Sequence, residues 1–322
     1  MFKKFSLSFI TCALMHTAWA ANNLPSPNEQ QEFIHHVAPR YGLNMAEVQN
    51  ALDKAKFQPS IINAITKPAE GKSYGDYRKL LVTPKRIESG KAFIQSYAFA
   101  FNKEKKLFDV PPEIVSAIIG VETSYGKNTG KFRLLDSLAT LSFGYPKREE
   151  FFQKELAQYL AISKSNNWDV TKLTGSYAGA FGWPQFMPSS YVRYAVSAYP
   201  GAKADLYNPN DAILSVGNYF EKSGWVPGGL VAVPVTISPH TCTDKLVCNK
   251  RQPLYPVSVW RAHGVTVPDN IPNNLKASLV TLKTANGTES WMTFQNFFVI
   301  TCYNISINYA MAVFELSQAI KA

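Results

Sequence analysis

Cysteine is scarce in this 322-residue chain, four in all, so a disulfide-stapled scaffold is excluded and stability must come from a packed core. Histidine is nearly as sparse, with five. No HExxH or paired CxxC occurs, and His35 and His36, being adjacent, fall on different helix faces, so neither a catalytic metal nor any other cofactor is expected. A phosphate loop is missing too. Gly126-Lys127-Asn128-Thr129-Gly130-Lys131 has three residues between its glycines instead of four, and Phe132 stands where Ser or Thr is needed. Gly175-Ser176-Tyr177-Ala178-Gly179 lacks the spacing of a nucleophile elbow, and no histidine follows it before His240, which argues against a serine hydrolase.

Long apolar runs are absent after the N-terminus, so nothing there approaches the roughly 20 residues that span a bilayer. The first twenty residues instead have the order of a secretory signal: Lys3 and Lys4, an apolar run from Phe5 to Trp19, then Ala18-Trp19-Ala20 before Ala21. Cleavage at about Ala21 is expected. Cys12 lies inside the apolar run behind Ile10-Thr11, a poor setting for lipidation, so a soluble, unlipidated periplasmic protein is expected with no transmembrane segment after processing. Carboxylates are outnumbered, 23 against 33 lysines and arginines, a net +10 that becomes +8 without Lys3 and Lys4. Such a surface favours polyanions, and export makes envelope polymers better partners than nucleic acid. Cys242 and Cys248 are close enough to form a small disulfide, leaving Cys302 as a buried apolar residue.

What is present is apolar residues, 46% of the chain, enough for a large core. From Glu29 to Trp225 they recur at helical spacing, with helices expected over 30–40, 44–55, 85–105, 111–122, 133–142, 148–164, 189–198 and 208–224. Asp109 and Asn208 precede prolines as expected N-caps. From Leu230 to about Phe294 short β-branched runs replace that pattern, including 231–237, 256–260 and 278–282, and read as strands. The apolar run after Asn296 reads as a strand leading into a helix over 309–320. The expected class is mainly α (α+β): a helical catalytic body, residues 21–227 and 296–322, with a small inserted β-containing lobe, residues 228–295.

The chemistry concentrates on one helix. Ile114, Ile118 and Glu122 are four residues apart and share a stripe, so a carboxyl group ends an apolar face. Desolvation disfavours its charged form and raises its pKa toward the range of a general acid at neutral pH. Spacing alone also allows Glu122 to turn outward and pair with Lys127 or Lys131. The segment from Gly175 to Tyr191 mixes small residues, aromatics and the neutral polar groups Ser176 and Gln185, a combination suited to holding sugar rings. Tyr303, Asn304 and Tyr309 repeat the aromatic-plus-amide theme.

These pieces, in order, resemble the B-type lytic murein transglycosylases, glycoside hydrolase family 103. The resemblance runs through Ile118 to Gly126, Leu135 to Phe143, Gly175 to Tyr191, Asp211-Ala212-Ile213 with Asn218-Tyr219-Phe220, and Asn296 to Ala312. It implies a lysozyme-like helical body, Glu122 as catalytic acid/base, and Ser176, Gln185, Tyr219, Tyr303, Asn304 and Tyr309 lining a glycan cleft. The implied reaction cuts the β-1,4 bond between N-acetylmuramic acid and N-acetylglucosamine and leaves 1,6-anhydro-muramic acid ends. Peptidoglycan strands are then the substrate, and cell-wall synthesis or division proteins are candidate partners. Ordinary glycosidases use two carboxylates, whereas this reaction needs one. The nearest rival acid, Asp136, reads equally as a helix-end hydrogen-bonding group.

Two departures stand out. The interval 197–205 keeps one carboxylate, Asp205, where relatives can carry a calcium loop, so no calcium is expected there. Trp183-Pro184 and Cys302 are unusual for the family and could reshape subsites. Competing readings are a muramidase that uses water and a non-catalytic wall-binding protein; a half-buried acid is costly for a cleft that only binds, which disfavours the second.

Overall fold

The computed structural model describes residues 27–67, 73–238 and 246–322. The expected signal segment 1–20 and Cys242 lie outside the described residues; Cys248 is in a disulfide and Cys302 is free.

In chain order the helices are α1 (Pro27–Val37), α2 (Met45–Asp53), α3 (Pro59–Thr66), α4 (Tyr74–Leu81), α5 (Pro84–Ser96), α6 (Ala98–Leu107), α7 (Pro112–Thr123), α8 (Leu134–Gly144), α9 (Glu149–Asn166), α10 (Pro188–Tyr194), α11 (Pro209–Lys222), α12 (Val257–Ala262), α13 (Gln295–Tyr303) and α14 (Ile307–Lys321). The strands are β1 (Phe132–Arg133), β2 (Thr174–Gly175), β3 (Ala232–Pro234), β4 (Thr236–Ile237), β5 (Tyr255–Pro256), β6 (Val265–Thr266), β7 (Lys276–Thr284) and β8 (Gly287–Thr293). The protein is mainly α with a minor β component, as the periodicity predicts.

Local chemistry explains most of the starts. Asn44 and Glu47 form a reciprocal capping box at α2, and Ser73, Thr83, Asn208 and Ser306 side chains cap α4, α5, α11 and α14. Asp109 does not cap α7. It takes a left-handed φ of 51°, and the helix begins from Pro111, whose successor Pro112 needs no hydrogen-bond acceptor. The run expected over 85–105 breaks at Tyr97, whose ring turns onto Phe93 at 5.0 Å and Trp183 at 6.3 Å.

The chain divides into two compact units, described residues 27–67 with 131–180, and 73–130 with 181–322. In the first, α8 packs on α9 and α3, and β1 pairs antiparallel with β2. Nearly all of α8 is buried, including Leu134, Leu135, Leu138 and Leu141. Asp136 on α8 accepts hydrogen bonds from the Lys56 amide, the Gln58 amide side chain and the Arg133 guanidinium. Its carboxylate is thus a staple for the helix start, as the sequence allowed.

In the second unit α7 runs through the core, packed by α14, α5 and α11, with Val115, Ile118 and Ile119 fully buried. Each such aliphatic side chain contributes about 1.5–3 kcal/mol. Residues 228–295 lie inside this unit and carry its longer strands. Their four-stranded antiparallel sheet has the order β3-β8-β7-β5, and Trp260, Leu279 and Met292 belong to an apolar cluster of its own. Two expected strands are helical: 256–260 is mostly α12, and the run after Asn296 is α13. Both are short apolar runs, too short for periodicity to separate helix from strand. Arg78 on α4 is bidentate to Glu289 of β8 and also bonds Glu315 of α14 at 2.6–2.9 Å, tying three elements together. Among the described residues no single helix is long and apolar enough to cross a membrane; α13 and α14 meet at 112°.

Candidate active site

Glu122 stands in the last turn of α7, one turn beyond Ile118 on the apolar stripe, and its carboxyl is partly buried. Neither Lys127 nor Lys131 forms an ion pair with it; Tyr309, from the first turn of α14, donates its phenolic hydrogen to Oε1 at 2.5 Å. Burial pushes the Glu122 pKa up to about 7, and the Tyr309 hydrogen bond works against that rise by favouring the charged form. No neighbouring charge contributes appreciably to the shift. With Oε1 occupied by a donor, the carboxyl's own proton belongs on Oε2.

The helix ends abruptly after Glu122. Ser124, Tyr125 and Gly126 are all left-handed, with φ of 50°, 58° and 78°. For the two non-glycine residues this costs roughly 1–2 kcal/mol each, so the turn must be held by its surroundings. Thr123, fully buried, does much of the holding: its Oγ1 accepts from the Gly126 amide at 3.0 Å and lies 3.0 Å from the Trp183 carbonyl and 3.2 Å from that of Ile119. Gly126 has to be glycine, since a Cβ there would lie 2.2 Å from the Trp183 ring.

Trp183 belongs to a tight loop closed at its base by paired main-chain bonds between Phe181 and Phe186. Gly182 and Gln185 turn the loop with φ of 73° and 52°. The Trp183 ring stacks on Phe93 at 5.7 Å, which fixes the unusual residue as part of the packing beneath the turn. Gln185 directs its amide nitrogen to the Gly182 and Thr129 carbonyls. The Tyr303 hydroxyl donates to the Pro184 carbonyl at 2.6 Å, and Tyr219 donates to that of Cys302 at 2.7 Å. The rings of Tyr219 and Tyr303 lie 4.8 Å apart, with Phe186 about 6 Å from each. Burial raises the pKa of both tyrosines, and of Tyr309, so all three hydroxyls remain protonated donors. The charge of Glu122 adds to the rise at Tyr303 and Tyr309, which places both close to the carboxyl.

The fold therefore brings together Glu122, Tyr309, Tyr303, Tyr219 and the Gln185 loop. Asn304 caps α13 next to Tyr303 and is exposed, with Ser306 N bonded to its carbonyl at 2.7 Å. Ser176 belongs to the other compact unit. There its Oγ accepts from the Ala180 amide and its carbonyl from Ser137 Oγ, within a turn completed by Gly179. The sequence did not single out Thr123 as a hub or Arg86 as a neighbour of α7. A buried threonine after a candidate acid has no distinguishing spacing, and an arginine in the first turn of an exposed-looking helix reads as surface.

One carboxyl whose pKa burial lifts to about 7, set among tyrosine rings and main-chain carbonyls on a lysozyme-like helical fold, has the chemistry of a candidate proton donor. Comparison with known proteins agrees. The transglycosylase SLT domain family model matches residues 26–318. Membrane-bound lytic murein transglycosylase B of Escherichia coli is 39% identical over 310 residues, 93% of this chain and 83% of the relative. Lytic transglycosylase SltB1 of Pseudomonas aeruginosa superposes with a TM-score of 0.86 at 37% identity, covering 92% of this chain and 98% of that one. Escherichia coli Slt35, solved in complex with bulgecin A, gives 0.84 at 39% identity, covering 92% and 93%. The chain belongs to the transglycosylase SLT domain family. It is an enzyme, a peptidoglycan lytic transglycosylase.

Proposed function

We propose that Glu122 is the single acid/base of this transglycosylase and that Ser176, Gln185, Tyr219, Tyr303, Asn304 and Tyr309 line its glycan cleft. The observation that carries the reading is the Glu122 carboxyl itself, held near pKa 7 by burial with one oxygen bonded to Tyr309. Glu122 gives the Oε2 proton to the glycosidic oxygen between N-acetylmuramic acid and N-acetylglucosamine. The N-acetyl group of the substrate stabilises the positive sugar centre. The resulting carboxylate, steadied by Tyr309, then draws the proton from the C6 hydroxyl, whose oxygen closes on C1. The product is a 1,6-anhydro-muramic acid end, and the proton is back on Glu122.

Intramolecular attack outruns water where the ring is held in a reactive geometry. Among the described residues no second carboxylate adds to the rise in the Glu122 pKa, and Asp136 is saturated by Arg133, Lys56 and Gln58, which supports a single-acid reading over the two-carboxylate pair of ordinary glycosidases. The signal-like order of Lys3, Lys4 and the apolar run supports action in the periplasm, and residues 228–295 are read as a β lobe inserted in the helical body.

Mass spectrometry of material released from purified peptidoglycan tests the reading. Anhydro-muropeptides from the wild type and none from Glu122→Gln support it. Reducing ends would make the protein a muramidase, and full activity in Glu122→Gln would remove Glu122 from the chemistry.

A further inference from the structure

The reaction needs the Glu122 carboxyl in one place, yet the residues after it are conformationally unfavourable, and the ring of contacts that fixes them includes a cation far away in sequence. Arg86, in the first turn of α5, sends Nε to the Gly120 carbonyl at 3.0 Å and Nη2 to Ser124 Oγ at 3.3 Å. Its Nη1 donates to the Leu80 and Leu81 carbonyls at 2.9 and 2.8 Å. Every one of these acceptors is neutral, and among the described residues no carboxylate forms an ion pair with Arg86. Burial lowers its pKa, as expected of a cation removed from water without a counter-charge. Such a charge is costly to bury, and a salt-bridged surface position would have avoided the cost.

The geometry explains the placement. Gly120 and Ser124 are two residues before and two after Glu122, so the guanidinium bridges the turn that carries the acid. The contact is reciprocated, since the Tyr125 hydroxyl donates to the Arg86 main-chain carbonyl at 3.0 Å. Close approach is built in: a Cβ on Gly120 would lie 2.5 Å from the Tyr125 hydroxyl, and one on Gly90 of α5 would lie 2.6 Å from it. The planar fork also suits the task. An arginine offers five donors in fixed directions and can span helix ends that a lysine would meet at one point. Leu80 and Leu81 close α4 and Gly120 lies near the end of α7, so one cation caps two helix C-termini where the dipoles favour it.

We infer that Arg86 is a positioning residue for the reaction: it clamps Gly120 and Ser124 and thereby sets where the Glu122 carboxyl meets Tyr309 and the glycosidic oxygen. This rests on Glu122 being the acid. The clamp acts through geometry, so releasing it slows chemistry more than it weakens substrate binding, and misplacement of about 1 Å can cost on the order of a hundredfold in rate.

Full-length Arg86→Met, Arg86→Lys, Ser124→Gly and Glu122→Gln, assayed for anhydro-muropeptide release with kcat and KM resolved across pH, provide the test. Ser124→Gly is the discriminating variant. It removes one jaw of the clamp while relieving a left-handed serine, so the fold should be as stable as wild type or more so. The expected result is a kcat about tenfold lower in Ser124→Gly with KM nearly unchanged and no loss of Tm, a larger fall in Arg86→Met, and partial recovery in Arg86→Lys. The groups facing Glu122 are Tyr309 from α14 and Tyr303 from α13, and both stay in place in these variants. A loosened carboxyl gains water, so the alkaline limb of the kcat profile should move to lower pH. If Glu122→Gln is inactive while Ser124→Gly and Arg86→Met keep wild-type kcat per folded molecule and an unmoved limb, the clamp is wrong and the acid assignment stands. Activity that follows Tm across the whole set would reduce Arg86 to a structural role. Activity in Glu122→Gln would instead overturn the acid assignment, and the positioning claim with it.

Discussion

Tyr309 and Glu122, 187 positions apart, are joined by a 2.5 Å hydrogen bond in which the phenol donates to the carboxyl. The bond favours the carboxylate, so Tyr309→Phe should raise the Glu122 pKa above its value of about 7. Hydrogen bonds to charged groups contribute about 1.5–3 kcal/mol, which corresponds to a rise on the order of one pH unit or more. The alkaline limb of the pH–kcat profile should move up by that amount, with kcat falling because the later proton abstraction loses its steadied base. A limb that stays put would show that the bond is absent in the working enzyme.

Stability should respond to pH at the same carboxyl. Glu122 has a folded pKa above its unfolded value of 4.5, so the folded state binds this proton more tightly. Its contribution is complete below pH 4.5 and disappears as pH rises through about 7. Glu122→Gln cannot ionise, so its Tm advantage over wild type should be larger at pH 8 than at pH 5, with a gain on the order of 1–3 kcal/mol. Thermal melts at the two pH values decide it.

Glu104, fully buried on α6, gives a second case without catalytic overlap. One oxygen accepts from the Val110 amide at 3.3 Å and the other has no hydrogen-bond partner, and burial raises its pKa to about 8. Glu104→Gln keeps an acceptor for Val110 and removes the ionisation. It should melt higher than wild type at pH 9, by a smaller margin at pH 6, differ little at pH 4, and leave kcat unchanged.

Gly126→Ala combines two penalties, a positive φ of 78° and a Cβ 2.2 Å from the Trp183 ring. Trp183 would have to move, carrying with it the loop that Thr123 and Tyr303 hold. A loss of at least about 2 kcal/mol is expected, with a fall in kcat beyond the loss of folded protein. Denaturant titration beside an activity assay checks both.

Asp136 separates structure from chemistry. Replacing it by Ala leaves Arg133, the Lys56 amide and Gln58 without their acceptor, a cost of about 1.5–3 kcal/mol because the Arg133 side chain is partly exposed to water. Below the lowered Tm, kcat per folded molecule should stay within about threefold of wild type. A collapse of kcat in fully folded protein would make Asp136 a second catalytic carboxylate.

The helices of the body were legible because their apolar residues repeat at three- and four-residue steps and their starts carry Asn, Thr, Ser or Pro. The β7–β8 hairpin was legible in part, its first strand marked by the β-branched run at 278–282. In runs as short and apolar as α12 and α13 periodicity does not separate helix from strand, and the strand reading failed. Asp109 shows another limit, since a residue ahead of two prolines can turn left-handed as well as cap.

The sequence by itself determined that an acid ends the apolar face of one helix and that aromatic and amide groups follow it in an order that resembles one family. Those are properties of residue type and spacing, and spacing fixes which face of a helix a side chain occupies. Only the tertiary structure decided which groups act on that acid. Tyr309 reaches Glu122, Trp183 underlies Gly126, and Arg86 brackets the turn, all across large gaps in the chain. Such contacts are made by packing between helices, whose angles and offsets no local repeat encodes. The pKa of Glu122 has the same origin, because desolvation is a property of the enclosed volume around the carboxyl.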